Sequence, residues 1–234
     1  MKKTLRLHDK FYLKENRYKN PKDSFKFILK VLKKDINKKK IYRVLDIGCS
    51  AGELIYQLEK KYDNLEIVGC DVRKDLLIKA RKFVSNKTKL IKIDINANKI
   101  NYSEKFDIII CNGVISIFND LKNFRKNILK LLKQNGKLYL GSIFNEYNYN
   151  IYTQYEDIKN QPRVFQTGWN IWSVETIKNL FKGKKVKINR YFSSKNISKN
   201  KLDLIRSWTI KIDGRRYFTN AVMQIQNKIL LKIY

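Results

Sequence analysis

The order of apolar and polar residues along this chain predicts strands and helices in alternation. Strands that alternate with helices are typical of a doubly wound, mostly parallel sheet. Short apolar runs predict buried strands at residues 44–47, 65–71, 90–95, 106–113, 137–143 and 186–192. Apolar residues three and four positions apart predict amphipathic helices at residues 23–34, 53–61, 74–84, 120–132 and 173–183.

Two glycine-containing dipeptides indicate where elements stop or reverse. Asn135 and Gly136 are expected to end the fourth helix. Asp213-Gly214 lies between two strand-like segments and predicts an antiparallel hairpin. Residues 144–172 lose the periodicity and are rich in tyrosine and amides, which suggests a lid or substrate loop. We therefore predict an α/β protein with a seven-stranded, mostly parallel sheet and a C-terminal antiparallel hairpin.

Length and composition fit one domain. The 234 residues, of which 43% are hydrophobic, suffice for a single core. Residues 1–40 are predicted to form an N-terminal helical extension or lid, and residues 41–234 the catalytic domain. No apolar run would span a bilayer and no signal-type segment follows the first residues, so we expect a soluble, cytoplasmic protein.

The three cysteines, Cys49, Cys70 and Cys111, do not have the spacing of a metal or redox motif. Their odd number and the lack of a C-x-x-C pair argue against disulfides and against zinc. We therefore expect them to be small, partly buried fillers near the ends of the strands.

The junction between the first strand and the second helix carries the most informative motif. Residues 46–52 read D-I-G-C-S-A-G, and Glu53 opens the helix. Gly48 and Gly52 allow a tight turn, and the amides at the start of the helix favour a carboxylate or a phosphate. A dinucleotide site would read G-x-G-x-x-G and a phosphate loop would continue with lysine, so this turn favours neither.

This segment resembles the first motif of class I S-adenosylmethionine-dependent methyltransferases, a family with a Rossmann-like fold. Asp71 lies about 20 residues after the second glycine, the spacing expected for a carboxylate that accepts ribose hydroxyls. In the family, the position of Asp94 lies beside the adenine, and those of Asn112 and Gly113 lie beside the transferring methyl. The resemblance implies S-adenosyl-L-methionine as cofactor, bound by Asp46, Gly48, Cys49, Ser50, Gly52, Asp71, Val72, Asp94, Ile95, Asn112 and Gly113.

Each of these positions also has a structural interpretation. Residues 46–52 fit a generic Rossmann-like turn, because many functions share that fold. Asp71 and Asp94 are suitable helix N-caps. Asp107 opens a strand far from the ligand edge and is interpreted as structural. A binding protein that keeps the fold without transferring a methyl group is a third class, which the intact first motif disfavours.

Methyl transfer from a sulfonium is a single displacement, so alignment of donor and acceptor supplies most of the acceleration. A hydroxyl acceptor also gains from a general base, for which His8 and Glu146 are the candidates, with Asp120 as a rival. Trp169 and Trp172 would stack on a sugar or serve as packing aromatics. The residues predicted to bind the acceptor are Tyr12, Ser116, Asn145, Tyr147 and Trp169.

The charge of the chain raises a second hypothesis. Lys and Arg number 51 against 21 Asp and Glu, a net charge of +30 that would attract RNA through counterion release. Basic runs lie at residues 38–40 and 182–187, and Arg215 and Arg216 form a pair. The lysines are nevertheless spread through nearly every segment, a pattern that compositional drift would also produce. RNA methylation therefore stays the alternative, although no RRM signature or zinc knuckle is present.

Residues 113–118, 143–145, 167–173 and 206–220 resemble small methyltransferases of bacterial surface-polysaccharide pathways. This resemblance implies O-methylation of a sugar, a sugar nucleotide or a capsule-type glycan decoration such as a phosphoramidate. An anionic acceptor of that kind would use part of the positive charge. The sequence does not predict an oligomeric state.

Overall fold

Strands and helices alternate along most of the chain, as the pattern predicts. The computed structural model describes residues 7–156, 165–191, 195–199, 207–219 and 228–234. The helices in these ranges are α1 (Asp23–Leu32), α2 (Glu53–Lys61), α3 (Lys74–Arg81), α4 (Lys122–Leu131) and α5 (Val174–Leu180), with 3-10 turns at Leu7–Lys14 and Ile115–Ile117. The strands there are β1 (Tyr42–Ile47), β2 (Leu65–Asp71), β3 (Lys89–Lys92), β4 (Phe106–Asn112), β5 (Leu132–Asn145), β6 (Gln154–Glu156), β7 (Phe165–Thr167), β8 (Trp172–Ser173), β9 (Val186–Tyr191), β10 (Trp208–Ile212), β11 (Arg215–Thr219) and β12 (Lys228–Ile233).

One central sheet organises the molecule. Over the described ranges, seven strands follow the order β3-β2-β1-β4-β5-β12-β9, and the short β8 pairs with β5. The strands from β3 to β5 are parallel, whereas β12 is antiparallel to both of its neighbours. The predicted Rossmann-like α/β class, with a mostly parallel sheet, is confirmed.

Apolar side chains fill a core on each face of the sheet. Along β4, Ile108 and Ile110 face the core beneath α1, α2 and α3, while Ile109 and Cys111 face the core beneath α4 and α5. Successive side chains of a strand point to opposite faces, so a strand buried on both sides must be apolar throughout. This burial explains the continuous apolar run of residues 108–111.

The junction of α4 and β5 differs from the expectation. We expected Asn135-Gly136 to end the helix, but α4 ends at Leu131 and the chain enters β5 directly. Phe106 pairs with Leu132 and Ile108 with Lys137, so the extra residues form an irregular bulge that holds Gly136. At its other end, β5 continues to Asn145 instead of stopping at Ile143.

The C-terminal part also departs from the prediction in one respect. The hairpin of β10 and β11 turns at Asp213-Gly214 as expected, but it forms a separate two-stranded sheet. Residues 228–233, which we did not predict as a separate strand, form β12 and lie between β5 and β9. Because β5 and β9 are both antiparallel to β12, they run in the same direction.

The segment before β1 packs on the same core as the strands. Ile28 and Leu32 of α1 are almost completely buried in the cluster beneath α2 and α3. The division at residue 40 stays a prediction. Asp107 accepts hydrogen bonds from the Arg43 amide and Lys133 Nζ, in keeping with its structural interpretation. None of the helices that the structure describes combines the length and the apolar character needed to cross a membrane.

Candidate functional site

A cavity of about 1340 Å³ lies at the carboxyl ends of the parallel strands. Residues that follow β1, β2, β3 and β4 line one half, which we call the cofactor half. Residues 165–171, the end of β9 and residues 195–197 line the other, which we call the acceptor half. Ligands of doubly wound sheets bind at this edge, so the topology places the predicted motif where a ligand would bind.

The turn after β1 has a backbone that only a few residue types tolerate. Gly48, Ser50 and Gly52 have φ values of +67°, +52° and +77°. The amides of Gly48 and Cys49 donate to the carbonyl of Cys70 at the end of β2, which fixes the turn against the neighbouring strand. A Cβ atom on Gly48 would lie 2.3 Å from Cγ2 of Val114, so this position has no room for a side chain.

The carboxylate of Asp71 connects the turn to the end of β2. Its Oδ2 accepts the Ser50 amide at 2.9 Å, and its Oδ1 accepts the Arg73 amide at 2.9 Å. Burial raises the pKa of Asp71, while the backbone donors act in the opposite direction. Each carboxylate oxygen accepts more than one hydrogen bond, so Asp71 can hold the turn and still accept ligand hydroxyls.

Asp46 is a buried carboxylate that is not fully hydrogen-bonded within the described part of the protein. The side chain is 3% exposed, and its Oδ2 has no hydrogen-bond partner among the described residues. Burial, and then the charge of Asp71, raise its pKa to about 8. An unpaired buried carboxylate is costly. A cationic ligand in the cavity would meet that cost, and S-adenosyl-L-methionine carries an ammonium and a sulfonium.

The other predicted cofactor residues take different positions around the same half. Val72 lines the cavity and is 49% exposed, which leaves an apolar surface that a base can cover. Gly113 has φ +80° and open space around it. Gly52 is the one predicted cofactor residue that does not line the cavity; it shapes the turn and packs against Val84. The remaining members of the set, Asp94, Ile95 and Asn112, line the cavity with Asp46, Gly48, Cys49, Ser50 and Asp71.

The segment before α1 covers the turn. The Tyr18 hydroxyl donates to the Ala51 carbonyl at 2.6 Å, and the Arg17 amide donates to Glu53 Oε1 at 2.7 Å. Arg17, Lys22 and Glu53 also line the cavity, and our sequence reasoning missed them. Glu53, the acid at the start of α2, is part of the sequence motif. No local sequence pattern predicts its hydrogen bond to Arg17, which lies 36 residues earlier in the chain.

Of the candidate general bases, Asp120 lines the cavity and Glu146 does not. His8 lies in the turn Leu7–Lys14, and its side chain is outside what the structure describes. Asp120 lines the cavity and accepts the Lys122 amide at the start of α4. Glu146 pairs with Arg190 on the surface and is not among the lining residues.

The acceptor set is only partly brought together. Tyr12, Ser116 and Trp169 line the cavity. Asn145 and Tyr147, which we predicted to bind the acceptor, do not line it: Asn145 forms a local turn with Tyr147 and Tyr149, and Tyr147 is 76% exposed. The reason is the length of β5, which carries these residues and Glu146 beyond the cavity. Ser142 and Ile143 line it in their place.

A buried amide anchors the acceptor half. Asn170 donates to the Phe118 carbonyl, accepts the Thr153 amide, and donates its own amide to the Ser116 carbonyl, each at 2.8 Å. Trp169 next to it has φ +65° and lines the cavity. Trp172 is instead a packing aromatic, buried in the core with its indole N–H bonded to the Ile115 carbonyl.

The three cysteines are buried free thiols. Burial raises the pKa of Cys49, and the charges of Asp46 and Asp71 add to the shift. Burial, and then the charge of Asp46, raise the pKa of Cys70, and burial with Cys70 and Asp46 raises the pKa of Cys111. A protonated thiol is a poor nucleophile, so these side chains act as small packing groups, as expected.

Comparison with known protein sequences identifies relatives of this domain. A family model described as a methyltransferase domain matches residues 38–207. The malonyl-[acyl-carrier protein] O-methyltransferase of Priestia megaterium is 27% identical over 141 residues, which cover 58% of this chain and 51% of that protein. The ubiquinone biosynthesis O-methyltransferase of Pelagibacter ubique is 32% identical over 135 residues, which cover 56% of this chain and 51% of that protein. This chain therefore spans about half the length of the curated relatives it matches.

Solved structures share the architecture across nearly the whole chain. An S-adenosylmethionine-dependent methyltransferase from Clostridium acetobutylicum superposes with a TM-score of 0.57 and 17% identity. The match covers 97% of this chain and 95% of that one. At this identity the likeness concerns the fold, and it agrees with the sheet order described above.

Proposed function

Since this chain belongs to the methyltransferase domain family, we propose that it transfers a methyl group from S-adenosyl-L-methionine to an oxygen of a small polar acceptor. The observation that carries the proposal is the cavity at the sheet edge, whose cofactor half has a buried carboxylate with an unpaired Oδ2 (Asp46) and whose acceptor half has an aromatic and amide lining. The relatives named above are O-methyltransferases, which supports an oxygen acceptor.

The residues of the cofactor half have separate tasks in this proposal. Asp71 accepts the ribose hydroxyls, Val72 covers the adenine, and Asp46 compensates the positive charge of the methionine end. When bound, S-adenosyl-L-methionine supplies an electrophilic methyl group. The protein contributes alignment, since a displacement needs its two partners held in line at short distance. Asn112, the last residue of β4, and Gly113 after it line the same cavity.

The finer acceptor prediction rests on the lining of the other half. Trp169 presents an aromatic side chain, and Gln166 and Asn196 present amides to the same cavity. An aromatic surface with a few polar groups suits a sugar ring. A sugar-type acceptor therefore stays our prediction for the substrate class. RNA is the second candidate, favoured by the net charge of +30.

Methyl-labelled S-adenosylmethionine and a deproteinised bacterial extract test the proposed activity. We expect label in the low-mass fraction that a nuclease does not remove. Label that a nuclease releases would support the RNA alternative, and no label in any fraction would contradict methyl transfer.

Replacement of Asp71 tests the cofactor assignment. We expect Asp71→Asn to weaken binding of S-adenosylhomocysteine by roughly 30-fold, since hydrogen bonds to a charged group contribute about 2 kcal/mol. Asp107→Asn is the matched control, because that aspartate lies at the opposite end of β4 with structural partners. Equal affinities of the two variants, measured by titration calorimetry, would remove Asp71 from the cofactor site.

A further inference from the structure

Trp169, in the acceptor half of the cavity, has a backbone conformation that large side chains rarely adopt. Its φ is +65°, and the residue is half-buried and lines the cavity. Within the described ranges, the other non-glycine residues with positive φ are Ser50 and Asp213. Aspartate tolerates this region because its short polar side chain bonds locally, whereas a tryptophan there is a genuine outlier. Strained backbone of this kind clusters at ligand-binding sites, and Ser50 and Trp169 both line the cavity.

Hydrogen bonds on both sides of Trp169 hold this conformation. Before it, the Gly168 amide donates to the Thr153 carbonyl at 3.3 Å. After it, Ile171 exchanges two backbone hydrogen bonds with Ile151, at 2.8 and 2.9 Å. A change of Trp169 to negative φ would reorient the flanking peptides and break bonds of this set. An unfavourable φ persists only where the surrounding structure fixes it in this way.

Asn170 fixes the same segment to the residues that follow β4. Its backbone amide donates to the Ser116 carbonyl, and its side-chain amide donates to the Phe118 carbonyl, each at 2.8 Å. The Ser116 hydroxyl in turn donates to the Gly113 carbonyl at 3.3 Å. Gly113 is predicted to lie beside the transferring methyl group. These bonds therefore set the position of Trp169 relative to that point.

A fixed indole suits the recognition of a ring. Tryptophan supplies a large, rigid contact surface and loses little conformational entropy when a ligand covers it. A side chain that is already held in its binding position loses still less, and such preorganisation raises affinity. The unfavourable backbone of Trp169 thus has a functional explanation, because it presents a fixed indole to the acceptor half of the cavity.

We infer that Trp169 selects the acceptor: its indole, held by the left-handed backbone, stacks on the face of an acceptor ring and sets the position of that ring relative to Gly113. This inference rests on the proposed function and deepens it, because it assigns acceptor selectivity to one strained residue. The strain lowers the stability of the free protein, and the fixed indole raises its affinity for the acceptor.

Alanine and glycine substitutions of Trp169 separate the backbone from the side chain. Both remove the indole, but only glycine adopts positive φ without a steric cost. We expect Trp169→Gly to melt about 2–4 °C above Trp169→Ala, the shift that relief of one left-handed residue should give in a protein of this size. At a residue with ordinary φ the order is reversed, since glycine gains more freedom on unfolding. A Trp169→Gly protein that melts below Trp169→Ala would overturn the claim of strain.

The apparent KM for the acceptor tests the contact with the indole. The acceptor is the nuclease-resistant low-mass fraction of the extract, diluted in series to find the half-maximal rate of labelling. We expect Trp169→Ala and Trp169→Gly to raise this KM by about tenfold or more, the loss typical of a truncated tryptophan at the centre of a contact. Trp169→Phe keeps an aromatic face and should raise KM much less. The affinity for S-adenosylhomocysteine should stay within about twofold in all three variants, since none of them changes the cofactor half.

Asp213 provides the matched control for strain. It has φ +46° in the turn of the hairpin formed by β10 and β11, and it does not line the cavity. Asp213→Gly should also melt above Asp213→Ala, but neither substitution should change the acceptor KM. A change of KM in these variants equal to that in Trp169→Ala would overturn the assignment to Trp169.

Cofactor affinity serves as the folding control. A Trp169→Ala protein that binds S-adenosylhomocysteine and keeps the wild-type acceptor KM would overturn the inference and leave the proposed methyl transfer standing. If Trp169→Ala fails to fold, the same result in Trp169→Gly overturns it instead. An equal rise of KM in Trp169→Phe and Trp169→Ala would overturn the stacking contact. A wild-type protein that labels no fraction would contradict both the inference and the proposed function.

Discussion

The two halves of the cavity are built in different ways. The cofactor half comes from chain segments that follow consecutive parallel strands, and a short turn at residues 46–52 fixes most of its geometry. The acceptor half comes from residues 165–171, the end of β9 and residues 195–197, which meet only after the whole sheet is assembled. A local motif can therefore specify where a cofactor binds, whereas acceptor specificity depends on contacts between distant segments.

We expect changes in the cofactor half to lower the affinity for S-adenosylhomocysteine and changes in the acceptor half to leave it nearly unchanged. Gly48→Ala should lower this affinity most. The added Cβ would meet Val114 at 2.3 Å, and a left-handed backbone costs an alanine about 1–2 kcal/mol. We expect affinity to fall more than a hundredfold by titration calorimetry. Gly183→Ala is the control, with φ +88° but open space and no place in the cavity. Equal losses in both variants would show that backbone strain alone matters.

Asp46→Asn should have an intermediate effect on the affinity for S-adenosylhomocysteine, and its effect on protein stability should depend on pH. The pKa of Asp46 is about 8 in the folded protein and about 3.9 in an unfolded chain. Wild-type stability should therefore fall relative to Asp46→Asn as pH rises from 4 to 8, because only the unfolded state gives up its proton readily. Thermal melts of the two proteins across that range measure the difference, and parallel curves would contradict the assignment.

The folded protein without ligand favours the protonated form of Asp46, and binding of a cationic ligand should favour the ionised form instead. A cationic ligand favours the ionised carboxylate, so wild-type protein should release protons on binding at pH 7, and Asp46→Asn should release fewer. Calorimetry in buffers of different ionisation enthalpy detects the protons. We expect the variant to bind S-adenosylhomocysteine about tenfold more weakly at pH 7.

Asn170→Ala should change cofactor affinity least. The substitution removes the side-chain hydrogen bonds of a buried amide to Thr153, Phe118 and Asn119, at a cost of about 2 kcal/mol in unfolding free energy. We expect affinity for S-adenosylhomocysteine to stay within twofold, while kcat/KM for the acceptor falls at least tenfold. A parallel loss of cofactor affinity would mean that the two halves are not independent.

The parts of the fold that could be predicted from sequence are those that local patterns determine. The bounds of α2 and β2 agree with the prediction to the residue, since turn signals flank an amphipathic helix and a buried strand. Glu146 could not be placed, because the continuation of β5 depends on pairing with β12 and β8. Tyr191 was included in a predicted strand, but its position at the ligand edge depends on the direction that β12 gives to β9.

The insertion of β12 between β5 and β9 also affects the order in which the protein can form during translation. The strands from β1 to β5 pair with neighbours that have already left the ribosome. The edge strand β9 has no place in the sheet until residues 228–233 have emerged, because those residues separate it from β5. The nascent chain can thus complete its cofactor half early. The end of β9 can line the cavity only when this late strand is inserted.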